Sequence, residues 1–326
     1  MKIDLLKEKI FQVNSTEAFN QLALQIFQHQ YQHVPVYRNW VDLLNRPAPN
    51  HFTEIPFLPI AFFKSQLVLE KDKTAETTFL SSGTTQMTRS KHAVADLSLY
   101  ETSFTQAFRY FFGDPDAYLV IALLPNYLQQ GDSSLVYMVQ QLMALTNHRL
   151  SDFYLEQPDR IESAYLQGKK EGKKVILFGV SYALMDLADQ GINLSDAIVV
   201  ETGGMKGRRK EMDKQALHDY LKKGLGNPTI SSEYGMTELL SQGYSMQDGI
   251  FQTPPWMKVI LRQTNDPLNL NVPMGKTGGV NVIDLANIHS CSFIATDDLG
   301  KMHAEGFTLQ GRFDQSDIRG CNLMVF

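Results

Sequence analysis

The sequence contains few cysteines, with only Cys291 and Cys321 among 326 residues. Two thiols in a chain of this length cannot form a disulfide framework, which favours a reducing compartment. Long apolar runs are also absent, and none reaches the roughly 20 residues needed to cross a bilayer. Residues 1–9 are charged and amphipathic and lack the apolar core of a secretory signal. The sequence therefore predicts a cytoplasmic protein without a membrane span.

An excess of positive charge is absent as well. The chain has 30 Lys and Arg residues against 35 Asp and Glu residues, which gives a formal net charge of −5. The densest basic cluster, residues 206–210, is short and is more typical of a solvated helix start than of a polyanion surface. This balance argues against a dedicated nucleic-acid binder.

Short apolar runs alternate with amphipathic helical patterns through the middle of the chain. The runs are residues 118–124, 175–180, 197–200 and 229–232. This alternation indicates βαβ units and a mainly parallel sheet covered by helices. From Trp256 the pattern becomes β-rich, with glycine and Asn/Asp turns between runs. We therefore predict an α/β layered sandwich in one domain, with an α/β lobe at 1–255 and a β-rich lobe at 256–326.

Other segments carry more local predictions. Residues 15–44 are expected to be helical, and residues 96–112 form a second amphipathic helix that Asp96 can cap. A short strand is expected near residues 67–69, and Cys291 is placed in a strand as a structural residue.

A hydroxyl-rich loop surrounds one glycine near residue 83. Its residues are Ser81, Ser82, Gly83, Thr84 and Thr85, followed by the cationic or potentially cationic Arg89, Lys91 and His92. Amide and hydroxyl groups near Gly83 suit a phosphate, and Arg89 or Lys91 can neutralise its charge. Similar clusters also occur in plain turns, and the spacing of a Walker loop is absent. The loop by itself therefore predicts an oxyanion site without identifying the ligand.

Two further polar loops directly follow the third and fourth apolar runs. The first contains Gly203, Gly204 and Lys206, and the second contains Glu233, Tyr234, Gly235, Thr237 and Glu238. Ligands of parallel sheets bind beyond the carboxyl ends of the strands. If the two strands are neighbours, both loops should open on the same crevice.

In this order, these segments resemble the adenylate-forming superfamily, which couples ATP to carboxylic acids through acyl-adenylates. Residues 81–85 resemble its phosphate loop, residues 234–238 its Tyr-Gly-x-Thr-Glu motif, residues 296–300 its ribose-binding element, and residues from Gly311 its hinge motif. Within the superfamily the chain is most similar to the acyl-protein synthetase family of bacterial bioluminescence (long-chain-fatty-acid–luciferin-component ligase). This similarity extends to segments 55–59, 62–65, 124–127 and 318–321. Phenylacetate–CoA ligases are more distant relatives.

The resemblance implies the large N-terminal-type domain of adenylate-forming enzymes, with the mobile C-terminal domain truncated or absent. It also implies ATP and Mg²⁺ as cofactors. By this resemblance the phosphates are assigned to Ser81, Ser82, Gly83, Thr84, Thr85, Arg89 and Lys91, and the nucleotide to Gly203, Gly204, Glu233, Tyr234, Gly235 and Thr237. The ribose is assigned to Asp298 and Arg312, and Mg²⁺ to Glu238. His92 is assigned to the carboxylate or a phosphate, Lys206 to developing charge, and Cys321 to the acyl thioester.

Each assignment has a structural alternative. Glu238 could be a surface acid at a helix start, Tyr234 a core residue, and Asp298 part of an Asp-rich turn. A lone histidine such as His92 is often structural, and a free cysteine such as Cys321 is usually a small buried hydrophobe.

The sequence also departs from the family pattern. Asp297 occupies the usual glycine position of the ribose element, so the roles of Asp297 and Asp298 could be exchanged. Gln86 replaces a glycine of the phosphate loop. The lysine that the mobile domain supplies in relatives has no counterpart here. Either Lys91, Lys206 or Arg312 replaces it, or adenylation is slow, or a partner completes the site.

Three functional hypotheses follow. The first is activation of a carboxylic acid, with fatty acid favoured, and acyl transfer to Cys321 or to a thiol of an acceptor protein. An acyl-donor protein is a further candidate partner. The second sends the acyl group to coenzyme A. The third is a non-catalytic subunit that binds a nucleotide or a partner enzyme.

Overall fold

The structure is a computed structural model that describes residues 3–82, 88–125, 131–203 and 212–313. The chain divides into two compact units. Unit 1 comprises Met1–Lys73 and Pro255–Phe326, and unit 2 comprises Thr74–Pro254. Residues 1–73 thus group with the β-rich segment, while the predicted division into lobes at residue 255 stays a prediction.

Within the described residues, the helices and strands alternate along most of the chain. The helices are α1 (Ile3–Ile10), α2 (Thr16–His33), α3 (Pro35–Leu44), α4 (Phe62–Ser65), α5 (Leu97–Phe111), α6 (Ser134–Thr146), α7 (Ile161–Lys170), α8 (Ser181–Asp189) and α9 (Lys214–Leu225). Short 3-10 turns are Phe52–Glu54, Pro115–Ala117 and Pro158–Arg160. The strands are β1 (Leu58–Pro59), β2 (Thr77–Leu80), β3 (Lys91–Val94), β4 (Tyr118–Leu123), β5 (Asp152–Phe153), β6 (Lys174–Gly179), β7 (Ile198–Glu201), β8 (Ile230–Tyr234), β9 (Gly243–Ser245), β10 (Met257–Arg262), β11 (Thr277–Asp284), β12 (Phe293–His303) and β13 (Gly306–Arg312).

Unit 2 is built on a six-stranded sheet in the order β5-β4-β6-β7-β8-β9. The first five strands are parallel, and β9 pairs antiparallel with β8. Every residue of β4 is buried, as expected for a strand covered on both faces. The predicted α/β fold with a mainly parallel sheet is confirmed.

A separate antiparallel hairpin in unit 2 carries the hydroxyl-rich loop. Strands β2 and β3 pair with Leu80 opposite Lys91. The Ser81 amide donates to the Ser90 carbonyl at 3.0 Å, which extends the pairing by one step. The start and end of the loop are therefore held next to each other.

Unit 1 contains a five-stranded sheet in the order β1-β12-β11-β10, with β13 also paired to β12. Strand β1 is parallel to β12, and the other pairs are antiparallel. Its core includes Phe293, whose ring stacks on Tyr37 of α3 at a centroid distance of 6.0 Å. Burial of such aromatic rings contributes strongly to the stability of a core.

Several local predictions differ from the structure. The helix expected at 15–44 is two helices, because Val34 is extended and Pro35 starts α3. Proline is well tolerated in the first turn of a helix but disfavours helical backbone in the residue before it. Residues 67–69 form no strand.

The β-rich region also differs in detail. Residues 296–300, the element that resembles the ribose-binding motif, lie inside β12, whose register shifts between Leu299 and Gly300. Cys291 lies two residues before β12 rather than in it, and it is fully buried. The register shift in β12 is a β-bulge, and a bulge lets a strand change direction without ending.

Among the described residues, no helix is both long and apolar enough to cross a membrane.

Candidate active site

Strands β7 and β8 bring the two polar loops to one edge of the unit 2 sheet. The strands are parallel neighbours, with Glu201 opposite Ser232. The loop beginning at Thr202 and the motif beginning at Glu233 therefore leave the sheet at the same carboxyl edge. The condition set for these loops, that their strands are neighbours, is met, and this edge is where parallel sheets bind ligands.

Glu201 is the centre of a buried polar network at this edge. It is 1% exposed, and its Oε1 accepts hydrogen bonds from Ser181 Oγ at 2.5 Å and from the Gly203 amide at 2.7 Å. Its other oxygen forms an ion pair with Lys214 of α9. Burial raises the pKa of Glu201, but the Lys214 charge and hydrogen bonds outweigh this effect and hold the pKa below its ordinary value. Glu201 is therefore an anion that shapes the start of the Gly203 loop.

The Gly203 backbone itself needs glycine. Its φ of +84° lies in the left-handed region, which side chains with a Cβ rarely adopt. The amide that donates to Glu201 belongs to this same residue. Conformation and hydrogen bond together fix the direction in which the loop leaves β7.

His218 contacts the same network and is neutral at physiological pH. Burial and the Lys214 charge lower its pKa from 6.5 to about 4. Its Nε2 is 3.1 Å from Ser232 Oγ, which is itself 3.4 Å from Glu201. Four residues of this network were not predicted from sequence: Glu201, Lys214, Ser181 and His218. The available sequence signal was Glu201 itself, an acidic residue at the end of a buried apolar strand.

Glu233 and Gly235 are matched in shape. A Cβ atom on Gly235 would collide with Glu233 Oε1, so a side chain at 235 would displace that carboxyl group. Burial and the nearby Glu201 charge raise the pKa of Glu233 from 4.5 to about 8, and Lys214 opposes this shift. Glu233 is therefore mostly protonated at neutral pH, beside an ionised Glu201.

The difference between the folded and unfolded pKa values of Glu233 predicts how the stability of the protein depends on pH. Between pH 4.5 and about pH 8, folded Glu233 keeps its proton, whereas the same residue in the unfolded chain loses it. Relative to Glu233→Gln, the wild-type free energy of unfolding should therefore fall as pH rises through that window, by up to about 1.4 kcal/mol per pH unit. Urea unfolding at several pH values tests this. A constant difference between the two proteins would contradict it.

Tyr234 ends β8 in a packed position. It is 5% exposed, and its ring meets Phe251 edge-on at 6.0 Å. Lys214 Nζ lies 5.7 Å from the centre of the same Phe251 ring. The residue predicted to stack on adenine is thus linked through Phe251 to the Glu201–Lys214 pair, and adenine stacking stays a prediction.

His92 joins the hydroxyl-rich hairpin to the Tyr-Gly-x-Thr-Glu motif. It is fully buried on β3, and its Nδ1 is 2.8 Å from the Thr237 carbonyl oxygen. These residues are 145 positions apart in sequence. Two segments that the sequence analysis assigned to one nucleotide are therefore in contact within unit 2. A direct role for His92 toward a ligand stays a prediction.

Glu238 lies one residue beyond this contact. Its side chain is buried, with the residue only 4% exposed. Buried carboxylates in proteins are paired, hydrogen-bonded or bound to metal ions, and a carboxylate oxygen is a ligand that Mg²⁺ accepts. The residue fits the predicted metal role, which stays a prediction.

Arg89 holds the base of the hydroxyl-rich loop. It donates to Asp132 at 2.8 Å and to the Ser81 and Leu80 carbonyl oxygens at 2.5 and 3.3 Å. Ser81 Oγ accepts from the Ser90 amide at 2.9 Å. Arg89 thus contacts the loop backbone, while Lys91 is exposed on β3. Phosphate contacts by Arg89, Lys91 or the exposed Ser82 stay predictions.

In unit 1 the hairpin of β12 and β13 pairs Asp298 with Arg312. The two residues are opposite each other in register, and Arg312 Nε is 3.2 Å from Asp298 Oδ1. The Asp298 amide donates to Thr296 Oγ1 at 3.1 Å. The predicted ribose pair is thus held together by the sheet, and its ribose role stays a prediction.

Six predicted site residues lie outside the described residues. They are Gly83, Thr84, Thr85, Gly204, Lys206 and Cys321.

Comparison with known families decides the class of protein. The family model for acyl-protein synthetases (LuxE) matches residues 9–325. The chain belongs to this family. It is accordingly an enzyme of the adenylate-forming acid–thiol ligase type, which activates a carboxylic acid as an acyl-adenylate and transfers the acyl group to a thiol. A search of curated proteins found no match.

Solved structures agree with the acyl-protein synthetase family on the fold. A 2-hydroxyisobutyryl-CoA ligase in complex with R3-HIB-AMP has a TM-score of 0.63 and 11% identity, with 92% of this chain and 68% of that chain covered. A fatty acyl-adenylate ligase from L. pneumophila has a TM-score of 0.50 and 13% identity, with 75% and 52% covered. At these identities the likeness establishes the adenylate-forming α/β fold.

Proposed function

We propose that this acyl-protein synthetase uses ATP and Mg²⁺ to activate a fatty acid and then carries the acyl group on Cys321. The observation that best supports a nucleotide site is the contact between His92 and Thr237, at 2.8 Å. It connects the hydroxyl-rich hairpin to the motif that contains Glu238. Family membership supplies the reaction type.

The charges of unit 2 suit a polyanionic substrate. Glu233 is mostly neutral near pH 7 because its pKa is about 8, so it adds little repulsion toward phosphates. The negative charge of Glu201 is balanced by Lys214. Glu238 is the carboxylate assigned to Mg²⁺, which would neutralise phosphate charge when bound.

In the first step, a carboxylate oxygen of the acid attacks the α-phosphorus of ATP. The new O–P bond forms as the bond to pyrophosphate breaks. In the second step, the Cys321 thiolate attacks the acyl carbon and AMP leaves. Catalysis comes from positioning and from stabilisation of developing charge, for which Lys91, Lys206 and Arg312 are the candidates.

Acid-dependent exchange of labelled pyrophosphate into ATP tests the first step. The protein is incubated with ATP, Mg²⁺ and either short, long or aromatic acids. We expect exchange with one or more long-chain fatty acids and weaker exchange with short acids. Exchange with an aromatic acid alone would reject the fatty-acid assignment, and a lack of exchange with every acid would reject activation itself.

Cys321→Ser should separate activation from acyl carriage. The variant should keep pyrophosphate exchange but lose hydroxylamine-sensitive label from a radiolabelled acid, because serine lacks the thiol. Cys291→Ala is the matched control, since Cys291 is fully buried and burial raises its pKa to about 12, which makes it a poor nucleophile. Label that persists in Cys321→Ser would place the acyl group elsewhere, and a thioester formed only with added CoA would favour a CoA ligase.

A further inference from the structure

Unit 1 contains a cluster of two histidines and one carboxylate that acyl activation does not use. The cluster consists of His29 on α2, Glu70, and His289, which lies in the segment between β11 and β12. One ligand atom from each residue lies within 4.8 Å of the others. All three are buried or nearly so, with side-chain exposures of 14%, 11% and 5% for His29, Glu70 and His289.

The spacing of His29 and Glu70 suits a shared metal ion better than a direct hydrogen bond. His29 Nε2 is 3.4 Å from Glu70 Oε2, which is long for a hydrogen bond. It is close to the separation of two ligands that each lie about 2.0–2.1 Å from a tetrahedral zinc ion. His289 Nδ1 is hydrogen-bonded to Glu70 Oε2 at 2.6 Å, and a bound ion would replace this bond.

Two ring nitrogens of the cluster are orphaned. Within the described part of the chain, His29 Nε2 and His289 Nε2 are both buried without a hydrogen-bond partner. Buried polar atoms are nearly always satisfied, and an exception commonly marks an ion or water site. Neutral imidazole and carboxylate are also the ligand types that zinc accepts.

The protonation states agree with this chemistry. Burial lowers the pKa of both His29 and His289, although Glu70 opposes the shift. Burial raises the pKa of Glu70, but contacts with the two histidines outweigh it and leave the pKa below its ordinary value. Metal ligands must be deprotonated to bind. The nearby charges of Lys7 and Lys73, and of His33 when protonated, work against a cation.

We propose that His29, Glu70 and His289 bind one zinc-class divalent transition-metal ion. This ion is separate from the Mg²⁺ assigned to Glu238, and its role is structural. It joins the end of α2 to two connecting segments of unit 1, so its binding should stabilise that unit.

Backbone hydrogen bonds hold the three segments in place for such an ion. The Glu70 amide donates to the His289 carbonyl oxygen at 2.8 Å, and the Lys71 amide donates to the His33 carbonyl oxygen at 2.9 Å. Ser290 Oγ donates to the Val68 carbonyl oxygen at 2.7 Å. The ligand positions are thus pre-organised by bonds that do not involve the ligand atoms.

Zinc titration of the chelator-treated full chain against a chromogenic chelator tests the site. We expect the wild type to bind one zinc per chain. Binding should be at least tenfold weaker in Glu70→Gln and in His289→Gln, which is about the least that losing a ligand should cost. Binding should be unchanged in His303→Gln. His303 is a matched control in the same unit, where its ring contacts Thr308 Oγ1 at 3.1 Å. Zinc should also raise the unfolding temperature of the wild type by at least about 2 °C, whereas magnesium should not.

Two outcomes would overturn the proposal. One is a wild-type chain that binds no zinc. The other is equal binding by the wild type and the two ligand variants, which would place zinc on other histidines. If circular dichroism shows that Glu70→Gln or His289→Gln does not fold, His29→Gln replaces it, because His29 is the most exposed of the three. These readouts do not depend on acyl activation and remain decisive if the proposed function fails.

Discussion

Glu238→Gln should reduce acid-dependent pyrophosphate exchange by about 100- to 1000-fold, the usual effect of removing one group that stabilises transition-state charge. Glutamine has almost the same shape, so the buried position is preserved. Its neutral amide is a much weaker ligand for Mg²⁺ than a carboxylate. The loss should therefore come with a higher requirement for Mg²⁺ rather than with unfolding.

Glu162→Gln provides the matched control, because Glu162 is an exposed acid on α7 of the same unit. It should leave exchange and Mg²⁺ dependence unchanged. Exchange is measured over a range of Mg²⁺ concentrations, together with the far-ultraviolet circular dichroism of each variant. If folded Glu238→Gln exchanges as well as the wild type, Glu238 is not the metal ligand and the site must be reassigned.

The sheet of unit 2 was predictable because burial leaves a direct mark on sequence. Strand β4 is buried at every position, so it reads as an uninterrupted apolar run rather than as alternation. The loops after β7 and β8 were recognisable because polar residues and glycine follow such runs directly. Their adjacency required the order of strands, which local sequence does not determine.

Contacts between distant residues were not predictable. The bond between His92 and Thr237 spans 145 positions and depends on how the hairpin packs in unit 2. The pairing of Glu201 with Lys214 depends on where α9 begins. Lys214 is the first residue of α9 and follows the cap Asp213, whose side chain accepts from the Ala216 amide at 2.8 Å.

These missed residues support the recognised ones. Tyr234 and Gly203 belong to motifs that sequence can identify, but Phe251, Glu201 and Lys214 hold them in place. A motif specifies the group that meets a ligand, while its supporting contacts come from elements spread along the chain. The supporting contacts are therefore the part that requires a structure.

Lys214→Met should be the most destabilising change at this edge, by about 2–4 kcal/mol. Removing one partner of a buried ion pair costs about 3–5 kcal/mol, and solvent screening of the Lys214 side chain, which is 36% exposed, reduces this cost. The cost arises because Glu201, at 1% exposure, is left as an unpaired buried anion. Urea unfolding measures the loss, and exchange should fall with it because Glu201 shapes the Gly203 loop.

The double variant Glu201→Gln Lys214→Met distinguishes an unpaired charge from lost packing. Glutamine can still accept from Ser181 and Gly203, so the double variant should be more stable than Lys214→Met alone.

The pH dependence of stability should also reverse between the wild type and Lys214→Met. In the wild type the lowered pKa of Glu201 gives stability that is lost as pH falls through that pKa. In Lys214→Met we expect burial to outweigh the remaining Ser181 and His218 contacts and to raise the pKa of Glu201, so that stability is lost as pH rises through the ordinary carboxyl range. Equal stability of the single and double variants, with no such reversal, would show that Lys214 acts through packing against Phe251.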